Sequence, residues 1–350
     1  MTTIYLVRHA EAEGNLYRRI HGWYDSLITE NGYRQIAALE ERFRDIPVDA
    51  VYSSDLFRTM TTARAVYVPK GLELHTDPGL RELSLGEWED RTFGSVRHTN
   101  PHQMDLFNRT DPAWEVENAE SFFQLGDRVY DTVRRLVEEH PNQTIALFSH
   151  GMALRQFLGK VKNVPPEEWH SMPHGDNTAV SCLTWDGDTF EIQFEMDNSH
   201  LPEDISTLAR QAWWRKDKKA AADVNLWYDC GDRGSCAAVL GEALPEQGKG
   251  ILAFAGDRHA GLLWLEPERS TEAGYISLCY VLPEHRGRGL GIQLIGEAVS
   301  RYRGAGRDRL CLHCSPDNEG IRRFFLKYGF KKIGEGPEGD LLEKYIGYER

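Results

Sequence analysis

The chain has 350 residues, 41% hydrophobic and 27% charged, an ordinary composition for a globular protein and long enough for two domains rather than one. Its net charge of −13 is unevenly placed: residues 1–200 hold 19 Lys and Arg against 32 Asp and Glu, and the other 150 residues hold 22 of each. The acidic first part argues against a broad nucleic-acid-binding surface there. No run of about 18 apolar residues could span a membrane.

The sequence opens on TIYLV (3–7), a β-branched and aromatic run read as a buried strand. No basic leader or long apolar stretch precedes it, so no signal peptide is expected. Six cysteines at irregular spacing suit a reducing, cytoplasmic setting. Strands follow at 50–53 (AVYS), 144–149 (TIALFS) and 179–185 (AVSCLTW), with helices at 32–44, 55–67, 120–139 and 151–160. This alternation predicts a layered α/β domain with a doubly wound, mostly parallel sheet. Residues 90–118 read as an irregular excursion.

A polar break, NSHLPED (198–204), marks the expected boundary, giving domains at 1–200 and 205–350. Residues 204–222 read as a helix carrying Trp213, Trp214 and a solvated RKDKK face. Strands are then expected at 250–255, 260–265, 274–282 and 308–314 and near 330–334 and 340–348, with helices at 289–303 and 318–328. That set predicts a second α/β domain with a mixed sheet. VNLWYD (224–229) is a poor candidate for its first strand.

Polar groups gather where the first domain's strands stop, the place where open α/β sheets hold ligands. Arg8 and His9 follow the first strand, Ser53-Ser54-Asp55 leads to Arg58 after the second, and Ser149-His150-Gly151 ends the third. Leu80-Arg81-Glu82 closes a short segment before the excursion. Two arginines, two histidines and a glutamate converging there would suit a phosphoryl group. Guanidinium forks match phosphate oxygens. A neutral imidazole is a nucleophile near pH 7. A carboxylic acid can protonate a leaving oxygen.

LVRHAEAEGN, SSDLFRTMTTA, LRELSLGEWE and ALFSHG resemble, in order, the four signatures of the histidine phosphatase superfamily, in its phosphoglycerate-mutase-like branch. The resemblance implies that His9 is the nucleophile that becomes phosphohistidine. Arg8, Arg58 and His150 would hold the phosphoryl oxygens, and Glu82 would be the acid and then the base. Asn15 and Gly151 would lie at the phosphate. His21 and Trp23, just after the first motif, are candidates for the substrate pocket. No metal is implied. Glycine usually follows the nucleophile in this family, and here Ala10 does, which strains the loop only if φ is positive there. The short excursion favours water as acceptor, hence a phosphatase acting on a small phosphorylated metabolite. Mutase-type transfer is the alternative.

GYISLCYVLPEHRGRGLG (274–291) runs from a strand through a glycine-rich loop into a helix. CSPDNEGIRRFFLKYGF (314–330) follows with Asn318 and Gly329-Phe330. Together they resemble the GNAT acetyltransferase family. The resemblance implies acetyl-CoA as co-substrate, its pyrophosphate held by Val281, Arg286, Gly287, Arg288, Gly289 and Gly291, with Asn318 in the later motif. Many members carry a proton-donating tyrosine where this chain has Phe325, with Tyr328 three residues on. Active acetyl transfer to an amine, acyl-CoA binding without turnover that controls the phosphatase, and a structural appendage all follow from that pattern. Cys311 and Cys314 are spaced like half a metal site, but on a strand they face opposite sides, and the expected role is structural. The fusion predicts a bifunctional enzyme working on one small amine-bearing phosphoester. No nucleic acid and no membrane partner are expected.

Overall fold

The computed structural model describes residues 1–211, 224–242, 244–315 and 317–348. The chain runs β1 (Thr2–Arg8), α1 (Glu13–Tyr17), α2 (Glu30–Phe43), β2 (Ala50–Ser53), α3 (Phe57–Lys70), β3 (Leu74–Thr76), α4 (Phe93–Thr99), α5 (Pro101–Asn108), α6 (Phe122–Glu139), β4 (Thr144–Ser149), α7 (Gly151–Val161), β5 (Val180–Trp185) and β6 (Phe190–Asp197). After residue 224 come β7 (Trp227–Gly231), α8 (Arg233–Leu240), β8 (Lys249–Ala255), β9 (Arg258–Leu265), β10 (Ala273–Val281), α9 (Leu290–Gly304), β11 (Arg309–Cys314), α10 (Glu319–Lys327), β12 (Lys331–Gly336) and β13 (Gly339–Tyr345). The helix expected over 204–222 lies, from residue 212 on, outside the described residues; within its start, Leu208–Arg210 form a 3-10 turn. Among the described residues no helix is long and apolar enough to cross a membrane.

The first sheet has the order β3-β2-β4-β1-β5-β6. β3, β2, β4 and β1 are parallel, and β5 and β6 are antiparallel. β4 therefore enters late in the chain between β1 and β2. Its register sets Arg8 beside Ser149 and Ser53 beside Phe148. The carboxyl ends of three strands thus lie side by side, which is what gathers the polar groups. The central strands are apolar because helices cover them, and Ile145 to Ser149 of β4 are all buried. Leu125, Val129, Val133 and Leu136 of α6, at helical spacing, are fully buried. A capping box between Ser121 and Gln124 starts that helix. The excursion at 90–118 is not irregular: it holds α4 and α5. Asn100 caps α5 and Pro101 occupies its first turn, so residues that read as loop are a helix start.

The second sheet has the order β12-β13-β11-β10-β9-β8-β7, antiparallel except for the parallel β10–β11 pair. Its first strand is β7, set further along than VNLWYD, and α8 follows under an Asp232 cap. Leu294, Ile295, Ala298 and Val299 of α9 pack with Leu263, Ile276, Leu310 and Leu312 in one core.

Compactness does not follow chain order. One unit comprises residues 1–12, 20–89 and, as far as described, 100–211; the other comprises 13–19, 90–99 and the described residues from 224. In the second unit, α1 packs on α9. A Cβ at Gly296 would fall 2.4 Å from Tyr17 Cβ, so the approach requires glycine. Buried ion pairs Arg303–Glu13 (2.9 Å) and Arg19–Glu297 (2.8 Å) flank that contact.

Candidate active site

The backbone around Arg8 and His9 is fixed on every side. His9 N–H bonds Ser149 O (3.0 Å), Thr178 N–H bonds Arg8 O (3.1 Å), and Ala10 N–H bonds Thr62 Oγ1 (2.9 Å). Ala10 is not among the residues with positive φ, so it carries no strain in glycine's place. His9 Nδ1 lies 2.7 Å from Ala10 O. A carbonyl only accepts, so the proton is on Nδ1 and the lone pair is on Nε2. The ring stands 5.3 Å from that of His150 and 5.7 Å from that of His21, centroid to centroid.

Burial holds His9 well below the usual histidine pKa, and the charges of Arg58 and Arg8 push the same way. His21 and His150 are lowered by burial and then by Arg58. Three neutral imidazoles therefore stand among two guanidinium groups. Arg58 is fully buried, bonded to the carbonyls of Gly22 (2.6 Å), Tyr24 (3.1 Å) and His21 (3.3 Å), with Asp25 at 3.7 Å. Arg8 donates to Gly175 O at 2.6 Å, while its Nε is buried with no partner among the described residues. His150 Nε2 meets Ser54 Oγ at 2.9 Å, and its Nδ1 is likewise buried and unpartnered. Such orphaned polar groups cost about 1–3 kcal/mol each unless a ligand answers them.

Glu82 reaches the start of α7. Its Oε1 accepts from Ala153 N and Leu83 N (2.9 Å each) and its Oε2 from Met152 N (3.0 Å). Two of the open N–H groups of a helix start are thereby bonded by a carboxylate. Arg128, paired with Glu120, holds the Glu82 segment through the carbonyls of Gly79, Arg81 and Glu82. Gly151 begins α7 against Arg8: a Cβ there would stand 3.2 Å from Arg8 Nε. Trp23 is 42% exposed, donates from its indole to Glu82 O (2.8 Å), and lies under Arg81. The first unit thus brings together Arg8, His9, His21, Trp23, Arg58, Glu82, His150 and Gly151, whereas Asn15 stands on α1 in the second unit.

Sequence reasoning missed Asn177. It is fully buried and donates from Nδ2 to His9 O at 2.9 Å, and its Oδ1 has no partner among the described residues. It also missed the pairing of Ser54 with His150. The signal for Asn177 was present in HGDNT before β5, a polar run next to a core strand.

In the second unit, β10 feeds the loop before α9. Gly287 and Gly289 have φ of +73° and +74°, and a Cβ at either would meet nothing within 4 Å. Two left-handed glycines one residue apart, with no side-chain cap on α9, leave the first N–H groups of that helix for an anion. Arg286 bonds Val281 O at 2.9 Å, and Arg288 adds charge. Gly291 admits the Phe324 ring, 3.1 Å from where its Cβ would be. Asn318 caps α10, accepting from Ile321 N. Phe325 is 6% exposed and belongs to the core, so it lines no reaction site.

A mostly parallel sheet with histidine, arginine and glutamate at its strand ends defines a phosphoryl-handling α/β protein. The chain belongs to the histidine phosphatase superfamily (branch 1), whose sequence model matches residues 4–198, and the acetyltransferase (GNAT) family model matches residues 206–330. A probable phosphoglycerate mutase GpmB of Yersinia pestis (strain Pestoides F) is 36% identical over 166 residues, 47% of this chain and 77% of the relative. The structure of Bacillus stearothermophilus YhfR aligns with a TM-score of 0.56 at 32% identity, covering 57% of this chain and 99% of that one. The alpha-ribazole phosphatase from Shigella flexneri shares the fold, with a TM-score of 0.51 at 24% identity over 56% of this chain and 96% of that one.

Proposed function

We propose that residues 1–200 hydrolyse a small phosphomonoester through phospho-His9, and that residues 205–350 transfer an acetyl group from acetyl-CoA to an amine. The observation that carries the first half is the buried, unpartnered Arg8 Nε beside a neutral His9 whose Nε2 holds a lone pair.

Arg8, Arg58 and His150 take the phosphoryl oxygens. Nε2 of His9 attacks phosphorus, the P–O ester bond breaks, and the leaving oxygen takes the proton of Glu82. Water then attacks phosphorus, Glu82 takes its proton, the P–N bond breaks, and phosphate leaves with His9 restored. Gly151 lets the start of α7 approach Arg8, and His21 and Trp23 form walls for the alcohol. Burial keeps His9 neutral and hence nucleophilic.

In the second half, Val281, Arg286, Gly287, Arg288, Gly289 and Gly291 cradle the pyrophosphate of acetyl-CoA, and Asn318 supports the neighbouring helix. A second reading, in which this domain binds acyl-CoA and only regulates the phosphatase, is favoured by Phe325, which has no proton to give.

Incubation with 4-nitrophenyl phosphate and rapid quenching should trap an acid-labile, base-stable phosphohistidine, absent in His9→Ala. Inorganic phosphate should appear with solvent ¹⁸O. Phosphate passing instead to a second hydroxyl would identify a mutase. Thiol release from acetyl-CoA only with an amine present separates transfer from regulation.

A further inference from the structure

The structure assigns the base of the second domain to His313, positioned by Glu338. This deepens the acetyl-transfer reading proposed above and rests on it.

The parallel pairing of β10 with β11 runs from Ala273–Arg309 to Ile276–Leu312 and then stops. β10 continues to Val281 against β9 alone, with a bulge at Ser277, and β11 continues to Cys314 against β13 alone. The two central strands therefore part after Ile276 and Leu312. Ser277 and His313 are the first residues past that fork. Ser277 Oγ is buried with no hydrogen-bond partner among the described residues. Five residues of strand, Ser277 to Val281, roughly 16 Å, separate the fork from the end of β10, where the glycine loop begins. An extended thiol-bearing arm anchored at that loop would reach back to the fork.

Around His313 is a closed ring of side chains from four segments. Its Nδ1 meets the Glu338 carboxylate at 3.1 Å and the Tyr275 hydroxyl, the latter at very short range. Arg269 bonds Glu338 at 2.8 Å and lies 3.7 Å over the Tyr275 ring. Glu266 holds Arg269 from behind at 3.3 Å, and Cys311 and Glu343 are paired further down the strands. A carboxylate can only accept, so the proximity of Glu338 assigns the proton to Nδ1, with the Tyr275 oxygen as its second acceptor, and leaves the lone pair on Nε2. Tyr275 is kept protonated by burial, with its pKa raised to about 12, and its oxygen can accept as well as donate. This is the arrangement by which a carboxylate orients an imidazole for proton abstraction. It supplies proton chemistry that Phe325 cannot.

In the step, the neutral acceptor amine forms the N–C bond to the thioester carbonyl carbon, and the proton of its nitrogen passes to His313 Nε2. The C–S bond breaks, sulfur leaves as thiolate, and the imidazolium returns the proton to give free thiol. Atoms balance as amine plus acetyl-CoA to amide plus thiol.

The test uses the full chain, acetyl-CoA, and glucosamine, ethanolamine and spermidine as acceptors. His313→Gln should lower kcat at least 100-fold while acetyl-CoA Kd stays within twofold, and should remove the acidic limb of the pH–rate profile. Glu338→Gln, the positioning variant, should lose about tenfold and shift that limb. Long-range ¹H–¹⁵N spectra, with His313 assigned by its loss in H313Q, should show Nε2 unprotonated in the neutral ring. Wild-type turnover with H313Q within threefold of it, or a neutral ring protonated at Nε2, overturns the assignment alone. Wild-type binding with no thiol released overturns the acetyl-transfer reading and the assignment with it.

Discussion

Replacing Glu82 by Gln separates its chemical role from its structural one. The carboxylate bonds three backbone N–H groups, two at Oε1 and one at Oε2. Glutamine keeps one acceptor oxygen, so Leu83 and Ala153 retain their bonds, while Met152 N–H faces an amide NH₂. One lost bond to a charged group costs about 1.5–3 kcal/mol, a fall of several degrees in the melting of a unit this size. The catalytic loss is of another order. General-acid help is worth roughly 100- to 10,000-fold on a leaving group that needs a proton and close to nothing on 4-nitrophenolate. Steady-state kcat on glycerol phosphate should therefore fall by at least 100-fold, and on 4-nitrophenyl phosphate by less than about tenfold. Equal losses on both esters would remove Glu82 from the acid role and leave it as a cap on α7.

The buried histidines make the first unit acid-sensitive. His9, His21 and His150 have folded pKa values well below 6.5, so the unfolded chain binds protons that the folded one refuses, and their stability contribution, present at neutral pH, is lost as pH falls below about 6.5. Each adds up to about 1.4 kcal/mol per pH unit there, and a melting temperature flat between pH 7 and 5 would contradict their burial as neutral rings. Gly151→Ala should cut kcat/KM about tenfold with unchanged or higher melting temperature, because its Cβ crowds Arg8 while alanine suits the helix start. Gly289→Ala meets no neighbour but must adopt φ +74°, a strain of about 1–2 kcal/mol; acetyl-CoA affinity by calorimetry should weaken roughly 5- to 30-fold, and an unchanged Kd would remove the loop from the cradle.

The first cluster was legible because its chemistry sits where apolar runs end. TIYLV stops at Arg8, AVYS at Ser53 and TIALFS at His150, and β1, β2 and β4 fall on those runs. What the pattern could not show was which strands are neighbours. β4 slots between β1 and β2 by a crossover, and only that order sets Ser54 under His150. Short elements were lost for other reasons. β6 alternates half-exposed charges at a sheet edge, α8 is a single amphipathic piece behind Asp232, and α4 and α5 hide behind the Thr, Asn and Pro residues that start them. α1, five residues long, reads as part of the first motif, yet it buries Tyr17 in the second unit's core.

The two units place their chemistry differently in the chain, and that difference explains why one site reads as a string of motifs and the other does not. A phosphoryl group is small, and donors at adjacent strand ends suffice to surround it. Each donor then follows its own strand within about six residues, His9 and His150 at once and Arg58 and Glu82 a turn later, and each motif is contiguous. The proposed acyl donor, with its long arm, would occupy the length of a strand instead. The groups beside its reactive end must come from across the sheet, and Tyr275 and His313 meet although 38 residues separate them. Glu338 joins them from a hairpin turn, where sequence alone shows only a polar tip. The helix position that carries a tyrosine in many relatives is occupied by Phe325, whose ring packs against Phe330 at 5.2 Å and serves the core. On the proposed assignment, proton transfer in this domain falls to the sheet rather than the helix, and cross-strand register, not local spacing, is where it must be sought.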